Sequence, residues 1–396
     1  MSNRIIRIIS SAALVFAGVF AALGADYDLA AYVWPAYHAE PRWQELGIFK
    51  DGKGEWQNVY EAVKHYPDDY WGVKPLWGYE MEDDPVAVAR KIDAATAAGV
   101  NVFIYDWYWY GGRPFLEGAL DNGFLKAKNC ERMKFYVMWA NHDVTGLWNN
   151  KLSGPEKDKM IWSAKITDED WVKIVARWIG YFRKPNYYTI GGKPVVSIYQ
   201  ISCFAEWEGV AKANARLDYL RAEARKAGFP GVHIQAVAAF MPPEGLKVDS
   251  TTFYNWGYHT WAEMGDRAHD LTYRAWGELS MKNFDVARAE AEKVGAAFFP
   301  NITCGWDTNA RYPKGASEPF VHGSTPELFE EFCRRTKAWA DAHPAKGMPR
   351  LITINSWNEW TEGTYLEPDD HFGYGYLNAL WRVFKSKQAE TQTRKD

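Results

Sequence analysis

Short apolar runs rich in β-branched and aromatic residues alternate along the chain with stretches in which apolar residues recur at helical spacing. Eight runs are predicted to be strands, and they cover residues 29–34, 100–106, 133–139, 194–200, 232–238, 250–255, 296–303 and 350–356. Strands that alternate with helices usually pair in parallel. Eight such units predict one α/β domain over residues 26–388, a (β/α)8 TIM barrel with a long loop after the first strand.

The intervening helices have end signals that can be identified in the sequence. Asp84, which a proline follows, is a suitable N-cap, and Gly99 ends the same helix. Thr167 and Asp170 have the spacing of a capping box, which predicts a helix over residues 171–182. These signals support the alternation of strands and helices.

Two segments fit the barrel less well. Around Pro242 and Pro243, between the fifth and sixth strands, a helix is poorly defined. Residues 35–83 are rich in aromatic residues, glycine and proline, and so long a loop is usually functional or a lid. The barrel is predicted to end with a helix over residues 372–384, and a disordered tail covers residues 389–396.

Aromatic residues stand beside hydrogen-bonding residues at most of the predicted strand ends, where a barrel of this type has its active site. Aromatic rings stack on the apolar face of a sugar, and polar groups orient its hydroxyls. Aromatic residues also commonly close a barrel, which would explain any single position but not seven strand ends together. The candidate substrate-binding residues are Tyr32, Tyr37, His38, Asp106, Trp107, Tyr108, Trp139, Asn141, His142, Tyr199, Asn255, Trp256, Trp306, Asp307, Trp357 and Trp360.

The end of the eighth strand carries two acidic residues three positions apart, Glu359 and Glu362. On a continuing strand they would face opposite sides, but Gly363 indicates a turn that brings both into one cleft. Hydrolysis of a glycosidic bond generally needs two carboxyl groups, whose pKa values their surroundings must separate. Two glutamates in a surface turn are more often simply solvated. Their position among tryptophans at the barrel end favours a catalytic pair.

Composition and net charge indicate which kind of molecule the protein binds. The chain has 21 Trp, 23 Tyr and 20 Phe, and a formal net charge of -4. This charge provides no basic surface for nucleic acid and no cationic face for lipid. The aromatic residues would fill a large core equally well, but their concentration at strand ends favours an oligo- or polysaccharide substrate. The histidine spacing fits no metal triad, so we expect no metal, no other cofactor, and a monomer.

The N-terminus has the pattern of a targeting segment. Arg4 and Arg7 precede an apolar run over residues 8–23, and small residues then precede Asp26. This order is typical of a secretory signal peptide, here residues 1–25, and predicts a periplasmic or secreted protein without stable membrane insertion after cleavage. The run is short for a membrane span, although an uncleaved anchor is the alternative.

The chain has four cysteines, Cys130, Cys203, Cys304 and Cys333, and none belongs to a C-x-x-C pair. After export they could form one or two disulfides, whose pairing the sequence does not indicate. Buried free thiols are an equally good interpretation.

Residues 356–368 resemble the N-E-W-x-E-G…E-P motif of glycoside hydrolase family 99 and its WbsX-like relatives. This motif is specific, and four weaker likenesses to WbsX-like motifs extend the resemblance from about residue 30 to about residue 380. These weaker matches are residues 55–59, residues 106–109, residues 139–141, and residues 305–307 with Arg311.

The resemblance implies a (β/α)8 barrel and the chemistry of an endo-acting α-mannosidase that retains configuration through a 1,2-anhydro sugar. In that mechanism Glu359 is the base toward the sugar 2-hydroxyl, and Glu362 is the general acid/base. The chain departs from the pattern at His142, where relatives usually have Glu, and at Thr308, which interrupts the W-D-N sequence. Both departures concern substrate contacts rather than the reacting groups.

Several polar residues have two interpretations. Asp106 is either a sugar-hydroxyl ligand or a cap on the following loop, and Asp307 either contacts sugar or pairs with Arg311. Glu367 is predicted to anchor the turn that carries the glutamate pair.

Two other functions remain open: a non-catalytic sugar-binding barrel, and a glycan-assembly glycosyltransferase of the WbsX type. The first would lack one of the glutamates. The second would need a nucleotide-sugar site, and no G-x-G-x-x-G follows a predicted strand. The sequence therefore favours an exported hydrolase that degrades a polysaccharide or glycan.

Overall fold

A computed structural model describes residues 27–64, 72–152, 154–237, 242–257, 260–265, 270–312 and 319–385. The predicted signal peptide over residues 1–25 and the tail over residues 389–396 lie outside this part of the chain. Within it, no helix is both long enough and apolar enough to cross a bilayer. The four cysteines are free thiols, so the alternative without disulfides is the one observed.

Eight parallel strands form one sheet. They are β1 (Asp28–Val33), β2 (Val102–Tyr110), β3 (Lys134–Trp139), β4 (Lys193–Ile198), β5 (His233–Val237), β6 (Ser250–Thr252), β7 (Ala297–Phe299 and Asn301–Thr303) and β8 (Leu351–Asn355). Each strand pairs with the next in sequence, and β1 pairs with β8 in the register Ala30 to Thr353. The eight predicted strands and the TIM barrel are confirmed.

The seventh strand is divided at Pro300, whereas the sequence predicted one run over residues 296–303. The first segment pairs with β6 and the second with β8. Proline has no backbone N–H to donate to a ladder. The Pro300 carbonyl still accepts a hydrogen bond from the Thr353 N–H at 3.1 Å, so β7 links its two neighbours and completes the ring.

Six of the helices are numbered here α1 to α6. They are α1 (Pro85–Ala98), α2 (Asp168–Phe182), α3 (Val210–Lys226), α4 (Tyr273–Lys293), α5 (Pro326–Ala342) and α6 (Gly375–Leu380). Asp84 caps α1, and the Thr167–Asp170 capping box is present, so α2 begins three residues earlier than predicted. The closing helix is shorter than predicted, because residues 381–385 form a wider π-helical turn after α6. Residues 242–249, between β5 and β6, contain no helix.

Shorter elements lie in the connections. The short helices are Trp43–Leu46, Trp56–Tyr60, Pro155–Asp158, Ile201–Glu206 and Thr260–Met264. The short strands are Arg113–Phe115, Val144–Thr145, Met160–Trp162, Thr189–Ile190, Leu271–Thr272, Val321–His322, Asn358–Glu359 and Thr364–Tyr365. Two of the short helices lie in the long segment after β1, where Trp56 stacks on Tyr37 with ring centroids 4.0 Å apart. This stacking holds two parts of the segment together, and Trp56 also lies 6.0 Å from Trp360 in the segment after β8.

Candidate active site

The chain reverses direction just after β8. Asn358–Glu359 pairs antiparallel with Thr364–Tyr365, and a single 3₁₀ turn, Trp360–Glu362, joins the two. A 3₁₀ turn has three residues, so side chains at positions i and i+3 lie on the same side. Glu359 and Glu362 therefore point to one side, as the predicted turn requires.

Gly363 makes this turn possible. Its φ is 61°, in the left-handed region that favours glycine. A Cβ at this position would come within 2.5–2.9 Å of atoms of Asp307. The Asp307 N–H donates a hydrogen bond to the Glu362 carbonyl at 2.8 Å, so the turn packs directly on the loop that follows β7.

The two glutamates differ in exposure. Glu359 is 2% exposed, and its carboxylate accepts hydrogen bonds from the Tyr254 hydroxyl at 2.7 Å and from Arg311 Nη2 at 3.1 Å. The Glu362 side chain is 18% exposed, and its Oε1 lies 3.6 Å from Arg311 Nε. Glu359 is thus enclosed by donors, while Glu362 lies at the open side of the pair.

Arg311 joins three carboxylates that are distant in sequence. Besides the glutamate pair, it contacts Glu55 Oε1 through Nη1 at 2.8 Å. The other oxygen of Glu55 accepts a hydrogen bond from the Trp34 indole N–H, and the guanidinium lies 5.1 Å from the centroid of that indole. The segment after β1 therefore supplies one wall of the site.

Tyr254 connects a fourth carboxyl group, that of Asp106, to this cluster. The Tyr254 hydroxyl lies 3.1 Å from Asp106 Oδ2 and 2.7 Å from Glu359 Oε2. A tyrosine hydroxyl has one proton, so both contacts are hydrogen bonds only when one of the carboxyl groups is itself protonated. Asp106 Oδ1 is buried and has no hydrogen-bond partner among the described residues, so it is free to meet a ligand.

The environment raises the pKa values of three carboxyl groups in this cluster. Burial raises the pKa of Glu359 well above its usual value, the charge of Glu362 raises it further, and Arg311 and Tyr254 oppose both. Burial likewise raises the pKa of Glu362 against the effect of Arg311, and burial together with Glu359 raises the pKa of Asp106. Perturbed carboxyl groups that share one site are the usual basis of acid/base catalysis.

Several of the predicted substrate-binding residues lie beside this cluster. Rings follow one another along one wall: Tyr108 contacts His142 at 5.7 Å, His142 contacts Tyr199 at 5.9 Å, and Tyr199 contacts Tyr254 at 5.4 Å between centroids. Tyr37 accepts a hydrogen bond from the Thr361 N–H at 3.3 Å. Together with Asp106, these residues are the predicted candidates that the structure brings together beside the glutamate pair.

Other predicted residues face the helices instead. The Trp107 indole packs on Trp178 of α2 at 5.4 Å, and Trp139 contacts Trp171 of the same helix at 5.8 Å. Trp256 contacts Trp276 of α4 at 5.5 Å. Alternate residues of a strand point to opposite faces, so the neighbour of an inward residue such as Asp106 points outward. These three indoles are buried and belong to the core between the strands and the helices.

Four more predicted residues have structural contacts. Trp357 packs on Phe103 at 5.3 Å. The Tyr32 hydroxyl donates to the Phe253 carbonyl at 3.2 Å, and the Tyr32 ring lies 4.6 Å from the ring of Tyr254. The Asn141 side chain bonds both the N–H and the carbonyl of Gln200, at 2.7 and 2.9 Å. Asn255 accepts a hydrogen bond from the Gly257 N–H at 2.8 Å and so stabilises a turn.

The side chains of the remaining predicted residues face other parts of the molecule than the carboxyl cluster. His38 is buried and faces Gly118, where an added Cβ would meet its ring. Trp306, Asp307 and Trp360 line a cavity of about 210 Å³ on the other side of the Gly363 turn, and the two glutamates do not line it. These three residues therefore line a cavity that is separate from the carboxyl cluster.

Three residues of the cluster were not among the candidates: Glu55, Arg311 and Tyr254. Glu55 and Arg311 occurred in the weaker motifs, and Arg311 was considered only as a partner of Asp307. Tyr254 lies in a β-rich run, where an aromatic residue usually indicates core. The interaction predicted for Glu367 is present, since its Oε2 accepts a hydrogen bond from the Trp360 indole at 2.8 Å.

Comparison with known proteins identifies the family of this chain and the relatives of its fold. The model of the WbsX glycosyltransferase family matches residues 29–380. The chain belongs to the WbsX family. A relative is the uncharacterized protein WxcX of Xanthomonas campestris pv. campestris strain B100, which is 25% identical over 376 residues. The match covers 89% of this WbsX-family chain and 48% of WxcX, so the chain spans about half the length of that relative.

Solved structures extend the likeness of this WbsX-family barrel to glycoside hydrolases. A glycoside hydrolase-like protein has a TM-score of 0.60 and 15% identity, with 91% of this chain and 94% of that chain covered. The family 99 endo-α-mannosidase of Bacteroides thetaiotaomicron has a TM-score of 0.52 and 16% identity, with 92% and 98% covered. At these identities the likeness is one of fold, and the predicted resemblance to family 99 and WbsX is confirmed.

Proposed function

We propose that this WbsX-family protein is a glycoside hydrolase that cleaves α-linked, manno-configured bonds in an oligo- or polysaccharide, with retention of configuration. The observation that carries the proposal is the placement of Glu359 and Glu362 on one side of a turn, around a shared Arg311, with unequal exposure. One carboxylate is enclosed by donors and the other is open, so their roles differ.

Glu359 is the base. This is the role that the resemblance to family 99 implies, and Arg311 and Tyr254 donate to the carboxylate and favour the ionised form that removes a proton, against burial and the charge of Glu362, which raise its pKa. Glu359 takes the proton from the sugar 2-hydroxyl, and O2 then bonds to C1 while the bond from C1 to the leaving oxygen breaks. Glu362 gives its proton to the leaving oxygen. The product of this step is a 1,2-anhydro sugar.

Water completes the reaction from the side of Glu362. The ionised Glu362 takes a proton from water, the water oxygen bonds to C1, and the C1–O2 bond opens while O2 regains its proton from Glu359. Two inversions at C1 give overall retention. Attack by O2 requires O2 and the leaving oxygen to be trans, which α-mannosides satisfy and α-glucosides do not.

The ring-lined wall and the free Asp106 Oδ1 support a sugar ligand. The likeness to the Bacteroides structure, which is that of an endo-α-mannosidase, supports a manno-configured substrate. We further propose that the protein is exported and acts on a glycan in the periplasm or outside the cell, on the basis of the signal-like N-terminal sequence.

A glycan-assembly transferase is the second candidate, because the name of the family is that of a glycosyltransferase. The two candidates differ in their donor. A hydrolase releases reducing ends from a purified α-mannan in buffer alone, whereas a transferase consumes a nucleotide-sugar and leaves the mannan intact.

The test is hydrolysis of α-mannans and α-manno-oligosaccharides, with ¹H NMR to identify the first anomer released. We expect the α-anomer first, and losses of roughly 100- to 10,000-fold for Glu359→Gln and Glu362→Gln, since each amide retains the shape but transfers no proton. Glu117→Gln is the matched control, because Glu117 is a mostly buried carboxylate that pairs with Arg177 away from the site. Parental activity of Glu362→Gln, or the β-anomer first, would contradict the mechanism.

A further inference from the structure

Lys91 of α1 is enclosed by protein on all sides. Its side chain is 3% exposed, and lysine is seldom buried to this degree unless it is paired. The ammonium contacts Glu82 and lies 2.7 Å from Glu367 Oε1. One buried cation therefore holds two buried carboxylates, one from the segment after β1 and one from the segment after β8.

Each of these carboxylates holds a residue adjacent in sequence to Glu359. Glu82 Oε1 accepts a hydrogen bond from Asn358 Nδ2 at 2.9 Å. Glu367 Oε2 accepts one from the Trp360 indole at 2.8 Å. The residues before and after Glu359 are thus connected to the same ammonium, each through one carboxylate.

Asn358 extends the connection to the end of β1. Its amide accepts a hydrogen bond from the Trp34 N–H at 2.8 Å and donates one to the Trp34 carbonyl at 3.0 Å. Trp34 in turn donates to Glu55 and packs against the guanidinium of Arg311. The two sequence neighbours of Glu359, and the indole that packs against Arg311, are therefore all connected to Lys91 through this hydrogen-bond network.

Stability alone does not account for the arrangement. A buried ion pair is often no more stabilising than apolar residues of the same volume, because both charges lose their hydration. Here two carboxylates share one ammonium, and burial raises the pKa of Glu82 to about 7 despite the effect of Lys91. The second carboxylate therefore adds little stability, because it is readily protonated near neutral pH, yet the network defines the position of each group that it contacts.

We propose that Lys91 is a positioning residue, which acts through Glu82 and Glu367 to hold the Glu359 carboxylate against Arg311 and Tyr254. This inference rests on the proposed function for its catalytic meaning. The effect of Lys91 on the position of the Glu359 carboxylate can be tested without any assumption about activity.

The first test is structural and needs no substrate. Crystal structures of the parent, Lys91→Met and Glu367→Gln would be compared at the contacts of Glu359 with Arg311 Nη2 and the Tyr254 hydroxyl, which are 3.1 and 2.7 Å here. We expect at least one of them to lengthen beyond hydrogen-bonding distance in each variant. Unchanged contacts in both variants would overturn the proposal. Glu367→Gln retains an acceptor for Trp360 and provides a milder variant if Lys91→Met does not fold.

The second test is the pH dependence of kcat/KM on the α-mannan that the parent hydrolyses. Arg311 and Tyr254 lower the pKa of Glu359, while Glu362 and Glu55 raise it, as does burial. Weaker contact with the two donors therefore raises this pKa and moves the acidic limb of the profile to higher pH. We expect a shift of about one pH unit, with kcat roughly 10- to 100-fold lower and KM little changed.

Arg216→Met is the matched control. Arg216 is also a buried cation on a barrel helix, α3, and it contacts two carboxylates, Asp168 and Glu208. Its loss should lower stability and leave the acidic limb in place. A fraction of unfolded protein lowers kcat/KM by the same factor at every pH and does not shift the profile. If Lys91→Met behaves like this control, the positioning role is wrong. If the parent hydrolyses no mannan, the proposed function fails, and the structural comparison still decides the role of Lys91.

Discussion

Replacement of Arg311 by methionine removes the cation that three glutamates share. The guanidinium lies 2.8 Å from Glu55, 3.1 Å from Glu359 and 3.6 Å from Glu362, and the Arg311 side chain is 3% exposed. Methionine is close in length and apolar, so the change deletes the charge and leaves little empty volume. The variant isolates the electrostatic contribution of Arg311 to folding.

The expected cost follows from the burial of the partners. Removing one member of a buried ion pair typically costs about 3–5 kcal/mol, because the remaining charge has no partner. The three contacts share one cation and are not additive, so we expect the free energy of unfolding to fall by about 3–5 kcal/mol at pH 8. Each unit by which the pKa of a carboxyl group rises in the folded state changes the free energy of unfolding by about 1.4 kcal/mol at a pH where the group is ionised in the unfolded chain.

The cost depends on pH in a defined direction. Burial already raises the pKa of Glu55 and Glu359 above their unfolded values, and loss of Arg311 raises both further. A carboxyl group with a raised pKa in the folded state binds its proton more tightly there, so stability falls as pH rises above the unfolded value. Arg311→Met should therefore be less destabilised at pH 5 than at pH 8.

Urea unfolding followed by far-UV circular dichroism at both pH values measures the effect. The control is Arg335→Met, since Arg335 pairs with Glu278 at the surface, where the two side chains are 35% and 45% exposed. Such a pair contributes about 0–1 kcal/mol. If the two variants lose the same stability, or if the loss at Arg311 does not grow with pH, the electrostatic account of the site is refuted.

Two further predictions concern the turn and the hydroxyl at the site. Gly363→Ala should destabilise the protein by about 2–4 kcal/mol in thermal unfolding and abolish mannan hydrolysis, because its Cβ meets Asp307. Gly295→Ala, also at positive φ but with no atom within 4 Å, should cost only about 1 kcal/mol, and equal losses would contradict the steric argument. Tyr254→Phe removes a donor to Glu359, so the pKa of Glu359 should rise and the acidic limb of the pH profile should move to higher pH. Tyr187→Phe, whose buried hydroxyl donates to the Val195 carbonyl, should leave the limb unchanged, and a shift there as well would argue against a specific effect.

Local features of the fold could be predicted because they depend on neighbours in sequence. The helical caps at Asp84 and Thr167 act over two or three residues, and both are present. The turn after β8 was predicted from Gly363 for the same reason, since backbone conformation at positive φ is a local property. The division of β7 at Pro300 was missed, although proline is itself a local signal.

The orientation of side chains at strand ends was harder to predict. Trp107 and Asp106 are adjacent, yet one packs on α2 and the other faces the cluster. A one-residue change of phase reverses every orientation, and fully buried strands show no polar alternation that would reveal the phase. Position at a strand end, without knowledge of the phase, therefore assigned several core indoles to the sugar site.

By itself, the sequence determined the eight-stranded barrel, the helix caps and the pair of acidic residues in a tight turn. The tertiary structure decided what surrounds that pair. Arg311 lies 256 residues from Glu55 and 48 residues from Glu359, and Asn358 lies 324 residues from Trp34. Contacts at such separations arise only when the closing barrel brings β1, β7 and β8 together, because nothing in the local sequence records which distant group will meet a buried charge.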